Sequence, residues 1–177
     1  IENDGQNTFG SALTPHPDFQ SLSTEEIVDI VREAGITGMG GAGFPTHVKY
    51  MPKDPSAIDH IIVNCAECEP YLTSDYRRMM EEPEKIVGGL QAAMKIFDGR
   101  AKGVLAVEDN KKDAAAKLRE AAKGIPDIEV VELKTKYPQG AEKTLIKRVM
   151  GRKVPSGGLP ADVGVIVDNI STVKAIS

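Results

Sequence analysis

Residues 35–49 read Gly-Ile-Thr-Gly-Met-Gly-Gly-Ala-Gly-Phe-Pro-Thr-His-Val-Lys. Glycines at 38, 40, 41 and 43 leave main-chain N–H groups uncovered by side chains, so a phosphate or a flat heterocycle can approach the backbone closely. Gly38, Gly40 and Gly43 fit the spacing Gly-x-Gly-x-x-Gly, which in a dinucleotide fold follows a strand. Here a helix precedes it: Ser23 and Glu26 form a capping box, Ile27, Ile30 and Val31 an apolar stripe, and Gly35 a C-terminal stop. The loop is thus a nucleotide candidate outside the ordinary dinucleotide turn, with a flexible connector as the plain alternative. Phe44-Pro45 argues against the connector, because proline fixes its own φ and biases Phe44 to extended geometry. Lys49, one helical turn further on, reaches a phosphate as a point charge or is an ordinary surface lysine.

Three other clusters carry chemistry. Asn64-Cys65-Ala66-Glu67-Cys68-Glu69-Pro70 comes directly off an apolar run of strand length at 58–63. Ionised Glu67 and Glu69 would accept hydrogen bonds from a ribose diol and repel an extra phosphate, favouring NADH over NADPH; the alternative is a pair of solvated turn residues. Tyr137-Pro138-Gln139-Gly140-Ala141-Glu142 leads into a helix, which places Gly140 and its neighbours to present N–H groups to a ligand. Asp168-Asn169-Ile170-Ser171-Thr172 joins a strand end to a helix start, where Asn169 and Thr172 suit phosphate or ribityl contacts and Asn169 or Ser171 suits a helix cap. Cys65 and Cys68 are the only cysteines, and His16, His47 and His60 show no ligand spacing with them, so the pair reads as packed thiols and no metal site is expected. There is no Ser-His-Asp set and no catalytic cysteine, which leaves the chemistry to a cofactor.

The elements that must position these groups alternate. Strand signals stand at 58–63, 103–107, 128–133 and 163–167. Helical patterns stand at 83–97, at 111–123 with Asn110 as cap and Gly124 as stop, and at 141–150 stopped by Gly151; a further helix opens near Ser171. This order predicts an α/β fold: a Rossmann-like, mainly parallel sheet with helices on both faces and ligands outside the carboxyl ends of the strands. Residues 1–22 are polar and aperiodic, an expected extended arm, and 23–177 the expected α/β domain. A net charge of -4 with both signs scattered offers no basic stripe to nucleic acid. No apolar run nears the roughly 20 residues of a membrane span, and no signal-peptide pattern opens the chain, so cytoplasmic exposure is the default expectation.

Four blocks in one order, at 38–46, 64–72, 137–142 and 154–160, closely resemble the C subunit of the Rnf electron-transport complex. More distantly they resemble the flavoprotein subunit of respiratory complex I, which oxidises NADH on bound FMN. The resemblance implies a complex I flavoprotein-type FMN domain that binds FMN and NAD(H). Hydride would move from NADH to the flavin N5, and single electrons would pass to [4Fe-4S] clusters of the full-length subunit, outside this chain. It further implies other subunits of a membrane complex as partners, ferredoxin indirectly, ion translocation as the coupled process, and a peripheral position on the inner face of the cell membrane. The chain, which begins with Ile1 and stops inside a helix, would be a piece of that longer subunit. By the same resemblance, Gly38, Gly40, Gly41, Gly43, Tyr137 and Gly140 belong to the cofactor site. Asn64, Glu67 and Glu69 would face the ring and the nicotinamide nucleotide, and Lys49 the FMN phosphate. Phe44 would flank the adenine, with Tyr50 a candidate second face, while Glu142, Asn169 and Thr172 would complete the site. Ala66 and Ala141 stand where the complex I relatives carry acids; the first would remove a polar contact to the ring or ribose, and the second would weaken the negative field beside the flavin. The alternatives are a cobalamin reductase of the same lineage, delivering electrons to a corrinoid, and an assembly scaffold without cofactor.

Overall fold

The computed structural model describes residues 5, 6, 16, 18–41 and 43–177. Its first helix, α1 (Thr24–Glu33), opens on the expected capping box: Ser23 Oγ accepts from Glu26 N at 3.2 Å and Glu26 Oε2 accepts from Ser23 N at 2.8 Å. Gly35, at φ +65°, stops it. One turn of helix, α2 (Thr46–Lys49), follows the glycine loop. From there the chain alternates: β1 (His60–Cys65), α3 (Ser74–Glu81), α4 (Pro83–Ile96), β2 (Lys102–Glu108), α5 (Lys112–Ala121), β3 (Ile128–Leu133), α6 (Glu142–Met150), β4 (Val165–Asn169) and α7 (Ile170–Ile176).

Two strands lie two residues later than their apolar runs suggest. Ile58 is buried at 2 % exposure but sits just after a 3-10 turn, and His60 is the first paired residue of β1. Residues 160–163 form another 3-10 turn ended by Gly164, at φ +77°, where a Cβ would lie 2.8 Å from the Ala57 carbonyl oxygen. The α5 cap also differs. Asn110 is not the cap; Lys111 occupies that position and turns inward, its ammonium donating to Glu67 O at 3.0 Å, while Asp113 Oδ1 accepts from Ala114 N at 2.9 Å.

Among the described residues the sheet has four strands, all parallel, in the order β3-β2-β1-β4. Ile61, Val63, Leu105, Val107 and Ile166 face a large core closed by α1, α4, α5 and α7. On the other face Ile62, Val104, Ala106, Val165 and Val167 pack with Leu145 and Ile146 of α6 and with Val154. Each fully buried Leu or Ile contributes about 1.5–3 kcal/mol by leaving water. Helices cover both faces, as expected, though unequally. Gly89 lets α4 lie directly on α7: a Cβ there would come within 1.9 Å of Val173 O.

The chain steps outward from β1 to β2 to β3, then crosses by α6 to β4 on the other side of β1. The direction of travel reverses between β1 and β4, and in open α/β sheets ligands bind outside the carboxyl ends at that reversal. Asn64 and Asn169 are register partners at that end. Most of the expected 1–22 arm lies outside the described residues; within it, residues 19–21 form a 3-10 turn and Leu22 packs on the core. Among the described residues no helix is long and apolar enough to cross a membrane.

Candidate functional site

Above the ends of β1 and β4 lies a cavity of about 800 Å³. Its first wall is the glycine loop, which is pinned at its base. Thr37 and Pro45 form an antiparallel bridge, Gly38 N donates to Phe44 O at 2.8 Å, and Thr46 N donates to Ile36 O at 3.1 Å. Met39 N donates to the Thr172 hydroxyl at 2.9 Å, tying the loop to α7. The glycines serve different ends. Gly40 packs so tightly on Asn169 that a Cβ would stand 2.7 Å from Asn169 Nδ2 and 2.9 Å from Asn169 Cβ. A Cβ on Gly41 would meet nothing within 4 Å. Gly43 takes φ +66°, a backbone few side chains tolerate.

The second wall joins the end of β1 to the turn before α6. Asn64 Nδ2 donates to Gly140 O at 2.8 Å, and Asn64 Oδ1 accepts from Ala66 N at 3.1 Å. Gly140 N in turn donates to Cys68 Sγ at 3.4 Å, and a Cβ on Gly140 would sit 2.6 Å from Ala66 O. Only glycine allows this contact. Both thiols are free; burial pushes that of Cys65 well up, and Cys68 is half-buried on the cavity wall. Among the described residues no cluster of three or more His, Cys, Asp or Glu side chains is placed to hold a metal.

The floor is a charge cluster. Lys49 Nζ donates to Asp168 Oδ1 at 2.8 Å and to Val167 O at 2.7 Å, and the Tyr50 hydroxyl donates to Asp168 Oδ2 at 2.7 Å. The Asp168 side chain is 0 % exposed. Burial, and then the Asp168 carboxylate, hold the Tyr50 phenol protonated far above its ordinary range. Glu142 stands nearby, its carboxyl raised above the usual range by burial, with Lys49 pulling it back down and Asp168 pushing it up.

Of the site residues named from the sequence, Gly38, Gly40, Gly41, Gly43, Phe44, Lys49, Asn64, Glu69, Tyr137, Gly140, Glu142 and Asn169 all line this one cavity. Glu67 and Thr172 do not. Glu67 is buried under α3, where its carboxylate accepts from Asp75 N at 2.9 Å and Tyr76 N at 3.2 Å. Thr172 is 0 % exposed, and its hydroxyl is occupied by Met39. Tyr50 offers no open face either; it is 2 % exposed and meets Phe97 edge-on at 6.4 Å. Asn169 lines the cavity and also caps α7, its Oδ1 accepting from Ser171 N at 2.8 Å.

Sequence reasoning assigns no role to Val48, Met51 or Leu159, which with Phe44 and Tyr137 give the cavity a largely exposed apolar rim. Leu159 lies in the 154–160 block, and that block is its only signal; Val48 and Met51 carry none. Asp168 likewise enters the sequence reading only as part of a motif.

Over its whole length the chain is similar to C subunits of ion-translocating ferredoxin:NAD(+) oxidoreductase complexes, among them the following two. The C subunit of the proton-translocating ferredoxin:NAD(+) oxidoreductase complex of Clostridium ljungdahlii is 50 % identical over all 177 residues, which cover 38 % of that protein. The C subunit of the Na(+)-translocating complex of Acetobacterium woodii is 47 % identical, again over 177 residues and 40 % of its length. The chain therefore spans about two fifths of these relatives. Among solved structures, an NAD+-reducing [NiFe]-hydrogenase in the H2-reduced state superposes with a TM-score of 0.76 at 26 % identity, covering 91 % of this chain and 31 % of that one. The Rnf resemblance read from the four sequence blocks thus extends across the chain. Residues 31–177 match the family model described as the Nuo51 FMN-binding domain, and the chain belongs to that family.

Proposed function

We propose that this chain is the FMN- and NADH-binding domain of an ion-translocating ferredoxin:NAD+ oxidoreductase, a membrane-bound electron-transport complex whose other subunits are its partners. In this reading the domain would hold FMN for hydride exchange with NAD(H), and iron-sulfur clusters outside this chain would take the electrons one at a time, on the inner face of the membrane. One observation carries this reading: the glycine loop, the Asn64–Gly140 junction and Asn169 converge on a single cavity at the switch point of a parallel sheet.

The residues present suit FMN. About 800 Å³ is at the upper part of the roughly 300–1,000 Å³ range of small-molecule sites, ample for a flavin with part of a second nucleotide. Among the described hydrogen bonds, the amides of Gly38 and Met39 are committed within the protein, whereas those of Gly40, Gly41 and Gly43 have no protein partner. With open space above Gly41, they form an uncovered backbone cradle. Lys49 has three ammonium protons and uses two on Val167 and Asp168, leaving one for a ligand. When bound, FMN supplies the exchange of a hydride for single electrons. The chain's own work is alignment. Phe44 and Tyr137 present exposed ring faces at the mouth, on which a flat heterocycle can stack. Glu69 and Glu142 stand where a ribose diol would find acceptors and a further phosphate would meet repulsion.

The test is reconstitution of the purified chain with FMN, followed by NADH under argon. Stoichiometric flavin uptake and bleaching by NADH are expected. Protein that ignores FMN removes the proposal and favours a scaffold; bleached flavin that passes electrons to a corrinoid in preference to ferredoxin in the full-length subunit favours the cobalamin reductase.

A further inference from the structure

We propose that Asp168 is the positioning residue of the cofactor site: it fixes the Lys49 ammonium at the cavity floor and offsets its charge, so that an anionic ligand meets an oriented donor and not an unscreened cation. The inference rests on the FMN-binding reading above. Lys49 alone would be a flexible point charge on a four-carbon stem. Here its head is clamped twice, by Asp168 Oδ1 at 2.8 Å and Val167 O at 2.7 Å, and only 21 % of the side chain remains exposed.

Asp168 is held on its other oxygen by the Tyr50 hydroxyl, so it cannot swing away from Lys49 without abandoning a buried hydrogen bond. The carboxylate itself never reaches the cavity, since it is wholly buried and absent from the lining. Its influence on a ligand therefore passes through Lys49, whose charge it offsets in a buried floor where charge interactions are stronger than in bulk solvent. With Glu142 also close to Lys49, the floor carries one cation against two acidic groups. That balance weakens the pull on a phosphate while preserving the direction of one donor.

The experiment compares FMN with riboflavin, which lacks the phosphate, by titration of the purified chain. Asp168→Asn keeps shape and an acceptor for Lys49 but removes the charge. It is expected to raise the ratio of FMN to riboflavin affinity by about tenfold, because the ligand's dianion then meets the full ammonium. Lys49→Met should collapse that ratio, and Asp168→Asn combined with Lys49→Met should stay at the Lys49→Met value, since Asp168 acts through Lys49. The double variant leaves no buried unpaired charge, so it keeps the inference falsifiable if Asp168→Asn alone fails to fold. A ratio in the double variant well above that of Lys49→Met would mean that Asp168 acts on the ligand without Lys49, and overturns the inference. A purely structural Asp168 would move both ligands together, and an unchanged ratio in Asp168→Asn overturns the inference while leaving FMN binding intact. Failure of the parent chain to bind FMN overturns the functional reading first, and this inference with it.

Discussion

Two neighbouring glycines separate folding from binding. A side chain at Gly40 is driven into Asn169, which both lines the cavity and caps α7, whereas one at Gly41 enters empty space. Gly40→Val should therefore destabilise the chain by about 1–3 kcal/mol through forced displacement of packed groups. In a domain of this size that lowers Tm by a few degrees per kcal/mol, roughly 2–4 °C each. Gly41→Val should leave Tm nearly unchanged and weaken FMN binding by roughly 100-fold, about 2.7 kcal/mol. Thermal melts and flavin titrations on the two variants check this together. Equal flavin affinity in Gly41→Val and the parent would mean that the loop backbone does not touch the ligand.

At the level of elements, several supports come from far along the chain. The α3 N-terminus has no capping side chain of its own, and Thr73 makes no cap bond; Glu67 supplies the acceptor for Asp75 N and Tyr76 N. Glu67→Ala is expected to cost about 1–2 kcal/mol, seen as a lower urea midpoint, because it strips a part-buried helix end of its partner. At the opposite end of the sheet, Arg152, just after α6, grips Asp59 with two bonds of 2.6 and 2.7 Å and also donates to Val163 O at 2.8 Å. The guanidinium holds the Asp59 carboxyl below its ordinary range, with burial opposing and His60 assisting. A depressed carboxyl contributes stability above its unfolded pKa, about 3.9, and that contribution fades as pH falls through the folded value. The pair is half exposed, so Arg152→Ala should cost no more than about 1 kcal/mol at pH 7, and the gap to the parent should narrow at pH 3 in matched urea titrations. These supports also mark what could be read in advance. The α1 capping box, the Gly35 and Gly151 stops and the apolar strands are local signals, and they appear in the structure. Helix α3 was not visible because its cap sits on another segment, and two strand starts moved because a 3-10 turn precedes each. Within the site, glycine, Asn64 and Asn169 were legible by residue type and position. The Lys49–Asp168 clamp joins residues 119 apart, and no periodicity announces it.

For the molecule as a whole, the sheet's reversal between β1 and β4 gathers a loop, two strand ends and a turn, and it also gathers their charges. The net charge is -4, and among the described residues lining the cavity the acids Glu69 and Glu142 outnumber the cations, Lys49 and Lys53, once Asp168 has offset Lys49. On the function proposed above, a second nucleotide approaching bound FMN would enter a weakly negative mouth. NADPH would carry an additional phosphate into that field, so on the proposed reading discrimination against it would arise from the assembly of these elements and not from any one contact. Glu142 is the adjustable part, because burial raises its carboxyl above the usual range and it becomes neutral at a higher pH than an exposed glutamate. The preference for NADH over NADPH, measured as the ratio of flavin bleaching rates at matched concentrations, should thus be greatest where Glu142 is ionised and fall as the pH is lowered through the Glu142 pKa. Glu142→Gln should reduce the ratio by about tenfold where the parent Glu142 is ionised, the order of effect of removing one charge from a part-buried site. It should also flatten the pH dependence. A parent-like pH profile in Glu142→Gln would assign the titration to another group and remove Glu142 as the source of the pH dependence.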